Sequence, residues 1–139
     1  MTDAELARSA LPGHSIALCR DGAVLTDDGR GISPMMKFIA QGRELSGYSA
    51  ADLIVGKAAA MLFVKAGVVS VHGNTMSRAG KEFLESHGVR CTWDTLTERI
   101  INRDGTDICP MEKTVGELED VEAGYAALKL RIKEMQNRA

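Results

Sequence analysis

The chain has 139 residues, of which 45% are hydrophobic and 26% charged, with a formal net charge of -2. Such a length and balance fit a single globular domain over residues 1–139 that buries an ordinary core. Near-neutral charge and 4% aromatic content argue against nucleic acid as a partner, and the central apolar run Ala58–Val64 is too short to span a membrane.

In chain order, MTDAELARSALPG carries acids where a signal peptide needs basic residues, and no apolar h-region follows. Three cysteines (Cys19, Cys91, Cys109) make neither a CxxC pair nor an even disulfide set, so reduced thiols and a cytoplasmic location are expected. Thr2 and Glu5 form a capping box for a helix over residues 2–10. HSIALCR, the turn Asp21-Gly22 and AVLTDD then read as a β-hairpin. Ser33 before Pro34 caps a short helix that ends near Gly42. Next, ADLIVGKAAAMLFVKAG, opened by Ser49 or Ala50 and closed by Gly67, reads as a helix apolar on nearly every side.

VVSVHG then has the composition of a buried parallel strand. A helix capped by Thr75 or Ser77 and closed by Gly88 leads to the strand VRCTW, which completes a βαβ crossover. The polar segment DTLTERIINRDGTDI precedes a terminal helix over about 110–136, with Gly116 or Gly124 as its points of breakage. Cys109 takes the N-cap of that helix, Pro110 its first position and Glu112 its third. The sum is a three-layer α/β/α domain with a mixed sheet.

Hairpin, buried helix, strand, helix, strand is also the element order of the cytidine-deaminase-like fold. Three stretches, GRGISPMM (29–36), ADLIVGKAAAML (51–62) and IINRDGTDICPMEKTV (100–115), resemble a bacterial domain-of-unknown-function family, number eighteen-ninety-three in its series. The resemblance covers residues 14–118 and implies a deaminase-like fold. Active deaminases begin the buried helix with His/Cys-x-Glu and the next with Pro-Cys-x-x-Cys, which supply zinc ligands and a proton shuttle. The aligned positions here, Val55-Gly56-Lys57-Ala58 and Thr75 to Gly80, retain no ligand. The resemblance therefore implies no metal, no other cofactor and no established reaction.

Two residues are the candidates for chemistry. Cys109 at a helix start faces unpaired amides and a positive dipole end, which favour thiolate. Its plainer reading is a small buried hydrophobe. Lys57, set among Ile, Val, Ala, Met and Leu, must reach solvent, find an anion or lose its charge. It is read either as a snorkelling side chain or as a cation aimed into the old metal pocket.

Five further residues complete a candidate ligand site. Asp52 is read as a helix-start acid or a catalytic carboxylate, and Gly56 permits close backbone approach. Asn102 and Arg103 sit in a turn that offers donors to phosphate or carboxylate, and Glu112 stands beside Cys109. Arg30-Gly31-Ile32-Ser33 is a second anion-cradling loop or a plain tight turn. His14, His72, His87 and the three cysteines lack zinc spacing, although His72 and Cys91 fall on adjacent strands.

The leading expectation is a small ligand-binding protein whose deaminase-like pocket has lost zinc and takes a small anionic or nucleotide-like molecule. Cys109 would serve there as an activated thiol. The rival is a non-catalytic binding or assembly module marked by the C-terminal stripe Leu118, Val121, Tyr125, Leu128 and Ile132, which either packs on the domain's own sheet or pairs between chains in a homodimer.

Overall fold

The capping box at Thr2 starts helix α1 (Asp3–Ala10): Thr2 Oγ1 accepts from the Glu5 amide at 3.1 Å, and Glu5 Oε1 from the Thr2 amide at 3.0 Å. Strands β1 (Ile16–Arg20) and β2 (Ala23–Asp27) form the expected hairpin. Its turn needs left-handed backbone at both Asp21 (φ 51°) and Gly22 (φ 81°), which an Asp-Gly pair supplies cheaply. Asp3 of α1 accepts from both turn amides, at 2.8 and 3.0 Å, and so fixes the helix against the hairpin. Helix α2 (Ser33–Ala40) has Ile32 as its N-cap; Ser33 is already inside the helix and makes no capping bond.

The computed structural model describes residues 1–138 and corrects the sequence reading at its centre. Residues 51–67 are not one helix. They comprise the end of strand β3 (Ser49–Val55), the extended residue Gly56, and helix α3 (Lys57–Ala66) closed by Gly67 in the left-handed region. A short, mostly apolar strand leading straight into a buried helix reads as one apolar run, so periodicity cannot separate them. Asp52 therefore lies inside a strand, and Lys57 at the start of a helix rather than in its middle.

Strand β4 (Ser70–Ser77) begins and ends later than expected, and Ser77 rather than Thr75 caps α4 (Arg78–Ser86) by accepting from the Gly80 amide at 3.0 Å. Strand β5 (Arg90–Thr97) extends four residues past VRCTW. The sheet order is β2-β1-β3-β4-β5, with β1 antiparallel to both neighbours and β3, β4 and β5 parallel. This mixed α/β sheet, followed through β3–α3–β4–α4–β5, carries the element order expected of the deaminase-like fold. Pairing along the parallel strands is interrupted at one level only, where Leu53, Asn74 and Asp94 are skipped.

The larger core lies on the α3 face, built from Ile16, Leu18, Met35, Phe38, Met61, Leu62, Phe63, Val71 and Met76 among others. On the opposite face α1 covers a smaller cluster of Ala7, Leu11, Ala17, Cys19 and Ala51. The terminal segment is two helices, α5 (Pro110–Val115) and α6 (Val121–Asn137), parted at Gly116. Gly124 stays inside α6, because it lets the helix lie against Met61: a Cβ there would stand 2.5 Å from Met61 Cε.

Leu128 is fully buried, and Leu118, Val121 and Tyr125 pack on the same core. Leu118, Val121, Tyr125 and Leu128 of the stripe thus face the chain's own core, the first of its two expected placements. A Leu128→Asp change would attack folding before it could report on association. Among the described residues, no helix is long and apolar enough to cross a membrane.

Candidate functional site

Gly56 has no side chain to cap α3, yet the helix start is not left bare. Glu112, arriving from α5, places Oε1 2.7 Å from the Lys57 amide and Oε2 2.8 Å from the Ala58 amide. One carboxylate thus satisfies two of the unpaired donors at a helix N-terminus, where the dipole also favours negative charge. Two glycines make the approach possible. A Cβ on Gly56 would lie 2.2 Å from Glu112 Oε1, and one on Gly80 would lie 3.0 Å from the Gly56 carbonyl carbon and oxygen. The starts of α3 and α4 therefore meet backbone to backbone, with Glu112 closing the gap. Burial raises the Glu112 carboxyl above its ordinary range, against the pull of the Ala58 and Lys57 amides and the Lys57 charge.

Lys57 does not point into an open cavity. It is 8% exposed, and its Nζ donates to the Gly116 carbonyl and to Glu119 Oε1, both at 3.1 Å. Its backbone holds α5 through Glu112, and its side chain holds the α5–α6 link. Lys65 adds a further tie to α6, reaching Glu122 at 2.6 and 2.7 Å. Sequence reading missed Glu119 as the partner of Lys57. It also set Glu112 beside Cys109 in one helix start, when the carboxylate in fact crosses to another helix. The signal available was Gly56 itself, a helix N-cap without a capping side chain, placed just after the β-branched pair Ile54-Val55.

Cys109 is the N-cap of α5 by its backbone, and its sulfur makes no capping bond. It is half-buried, with its amide donating to the Ile100 carbonyl at 2.9 Å and its own carbonyl accepting from Lys113 at 3.1 Å. The preceding loop is tied to itself: Asn102 Oδ1 accepts from the Thr106 amide at 3.1 Å, and the Asn102 amide donates to the Asp107 carbonyl at 2.8 Å. Arg103 is exposed at the tip of this turn. Asn102, Arg103, Cys109 and Glu112 therefore belong to a single loop–helix unit delivered to the start of α3. Burial raises the Cys19 and Cys91 thiols.

Asp52 stands apart from that unit. Cross-strand pairing puts it in a row with Asp27, Ile16, Gly73 and Trp93 on the α3 face of the sheet. It is 6% exposed with no ion-pair partner among the described residues, so burial pushes its carboxyl up to about 7, only partly offset by the Ile54 and Leu53 amides. His72 pairs with Thr92 and Cys91 with Val71, which turns His72 and Cys91 to opposite faces and parts that potential ligand pair. No three His, Cys, Asp or Glu side chains converge as a metal site among the described residues. At the helix starts where deaminases bind zinc, the closely packed Gly56 and Gly80 offer no ligand, so the residues present do not fit that ion.

Fold and site together define an α/β protein of deaminase-like element order whose buried helix start is closed by an internal carboxylate. The chain belongs to the TM1506 family, a domain of unknown function (DUF1893), which matches residues 8–132. A DUF1893 family protein (TM1506) from Thermotoga maritima superposes with a TM-score of 0.77 at 23% identity, over 91% of this chain and 88% of that one. A diaminohydroxyphosphoribosylaminopyrimidine deaminase/5-amino-6-(5-phosphoribosylamino)uracil reductase, also from Thermotoga maritima, aligns at a TM-score of 0.45 and 16% identity. That alignment covers 64% of this chain and spans only 33% of the enzyme. No curated protein matches the chain.

Proposed function

We propose that the protein binds a small anionic or nucleotide-like ligand at the start of α3, and that Glu112 is the internal group such a ligand displaces. The observation that carries this reading is the pair of bonds from Glu112 to the Lys57 and Ala58 amides at 2.7 and 2.8 Å. Two convergent amides that already hold a carboxylate suit a phosphate oxygen equally well. Burial works against the Glu112 charge, which lowers the cost of exchanging it for a ligand. α5 has only six residues and follows an exposed polar loop, so it can move as a unit with that loop. In this reading Asn102 and Arg103 donate to the ligand, Cys109 is a thiol contact beside it, Gly56 keeps the amides accessible, and Lys57 positions the site rather than reacting. Asp52, on β3, stands apart from these groups and is assigned no contact with the ligand. No bond-breaking step is assigned.

The test is a titration of nitrogen-15-labelled protein with inorganic phosphate and with adenosine monophosphate, in wild type and in Glu112→Ala. In the variant, phosphate is expected to shift the Lys57 and Ala58 amide signals and to slow alkylation of Cys109. Wild type should bind the same probe about tenfold more weakly, about 1.4 kcal/mol, because it first gives up the Glu112 bonds. A folded Glu112→Ala protein whose Lys57 and Ala58 signals ignore both probes would remove the reading.

A further inference from the structure

On the face of the sheet opposite α3, a cleft of about 400 Å³ opens beside α1, over parts of β3, β4 and β5. That volume is within the range of small-molecule sites. Arg8, Leu11, Leu53, His72, Asn74 and Asp94 line it. Leu53, Asn74 and Asp94 are the three residues at which strand pairing is skipped, so the sheet's one irregular level forms the cleft wall. Interruptions of a ladder commonly re-aim side chains in this way.

The chemistry of the lining is balanced and unsaturated. Arg8 Nη2 and Asp94 Oδ1 are 3.8 Å apart, near enough to attract but too far to share a hydrogen bond, and both side chains are more than half exposed. Each keeps donors or acceptors free for a third molecule. His72, by contrast, is 5% exposed and fixed from two sides. Its Nδ1 meets Thr92 Oγ1 at 2.7 Å and its Nε2 meets Asp94 Oδ1 at 3.4 Å. Burial and the Arg8 charge lower its pKa, against the pull of Asp94, and its contact with Asp94 steadies that carboxylate. Leu53, 42% exposed, and Leu11 supply an apolar wall beside these charges.

We propose that this cleft binds a small zwitterion, an α-amino acid with an apolar side chain. Its carboxylate pairs with Arg8, its ammonium with Asp94 and the Asn74 side-chain oxygen, and its side chain lies against Leu53 and Leu11. A net anion would face Asp94 and a net cation Arg8, so the lining discriminates against both. The site is separate from the start of α3 and does not rest on any ligand bound there.

The probe is L-leucine, titrated into the labelled full chain beside leucinamide, N-acetyl-leucine and isoamylamine. Leucine is expected to shift the Leu53, Asn74 and Asp94 amides, and each analogue, lacking one charge, to bind at least about tenfold more weakly. Arg8→Met and Asp94→Asn are expected to weaken leucine by a similar factor while the unfolding midpoint stays near wild type, since both side chains are exposed. Absence of cleft shifts with leucine, or equal binding of leucine and isoamylamine, would overturn the proposal. The analogue series needs no variant, so it decides the matter even if a substitution perturbs folding.

Discussion

Asp52→Asn is expected to stabilise the fold at pH 8 and to leave it nearly unchanged at pH 4. Burial on β3, with no cation to offset it, lifts the Asp52 carboxyl from 3.8 to about 7. Between those values the unfolded chain has lost the proton and the folded chain still holds it. The folded state therefore binds more protons, and stability falls as pH rises through that window. A shift of about three units at 1.36 kcal/mol each places the loss at about 4 kcal/mol once pH exceeds the folded value. Asparagine keeps the shape and an acceptor for the Ile54 and Leu53 amides but cannot ionise. Urea unfolding at half-unit pH steps would show a falling wild-type stability that the variant lacks. Parallel profiles would mean that Asp52 titrates normally and is reached by solvent.

The second large effect is at Gly56. Gly56→Ala is expected to cost about 3 kcal/mol, although its backbone (φ -102°, ψ -170°) is open to any residue. The cost is steric, since the new methyl group would fall on Glu112 Oε1 and drive the carboxylate off the α3 amides. A double-mutant cycle isolates this cause. In a Glu112→Ala background the same Gly56→Ala change should cost under about 1 kcal/mol, because the atom it meets is gone. Equal costs in both backgrounds would place the clash elsewhere.

The sequence exposed punctuation better than partnership. Thr2 with Glu5, Asp21 with Gly22, and the closures at Gly67 and Gly88 act over a few residues through backbone geometry, and the structure has all four. The boundary at Gly56 was hidden because β3 is apolar even at its exposed residues Leu53 and Ile54, and α3 is buried, so neither shows the polar face that sets a period. That one error placed Asp52 on a helix and Lys57 inside one. The Glu112–Lys57 contact spans 55 positions and the Lys57–Glu119 contact 62, and nothing local encodes either. Glu112 had a local explanation, three residues after an N-cap, and the tertiary partner overrode it. The amphipathic stripe of α6 was legible as a stripe, and so was the break at Gly116, while the packing of the stripe against α3 depends on contacts distant in sequence that nothing in the helix encodes.

The central claim is that Glu112 serves as the internal anion of α3. The most direct measurement is a pH titration of the Glu112 carboxyl carbon by carbon-13 NMR, followed together with the Lys57 and Ala58 amide signals. A midpoint above the ordinary glutamate value, with both amides shifting at that same midpoint, is the result this geometry predicts. An ordinary midpoint, with the two amides indifferent to it, would put the carboxylate in solvent and leave the start of α3 without its cap.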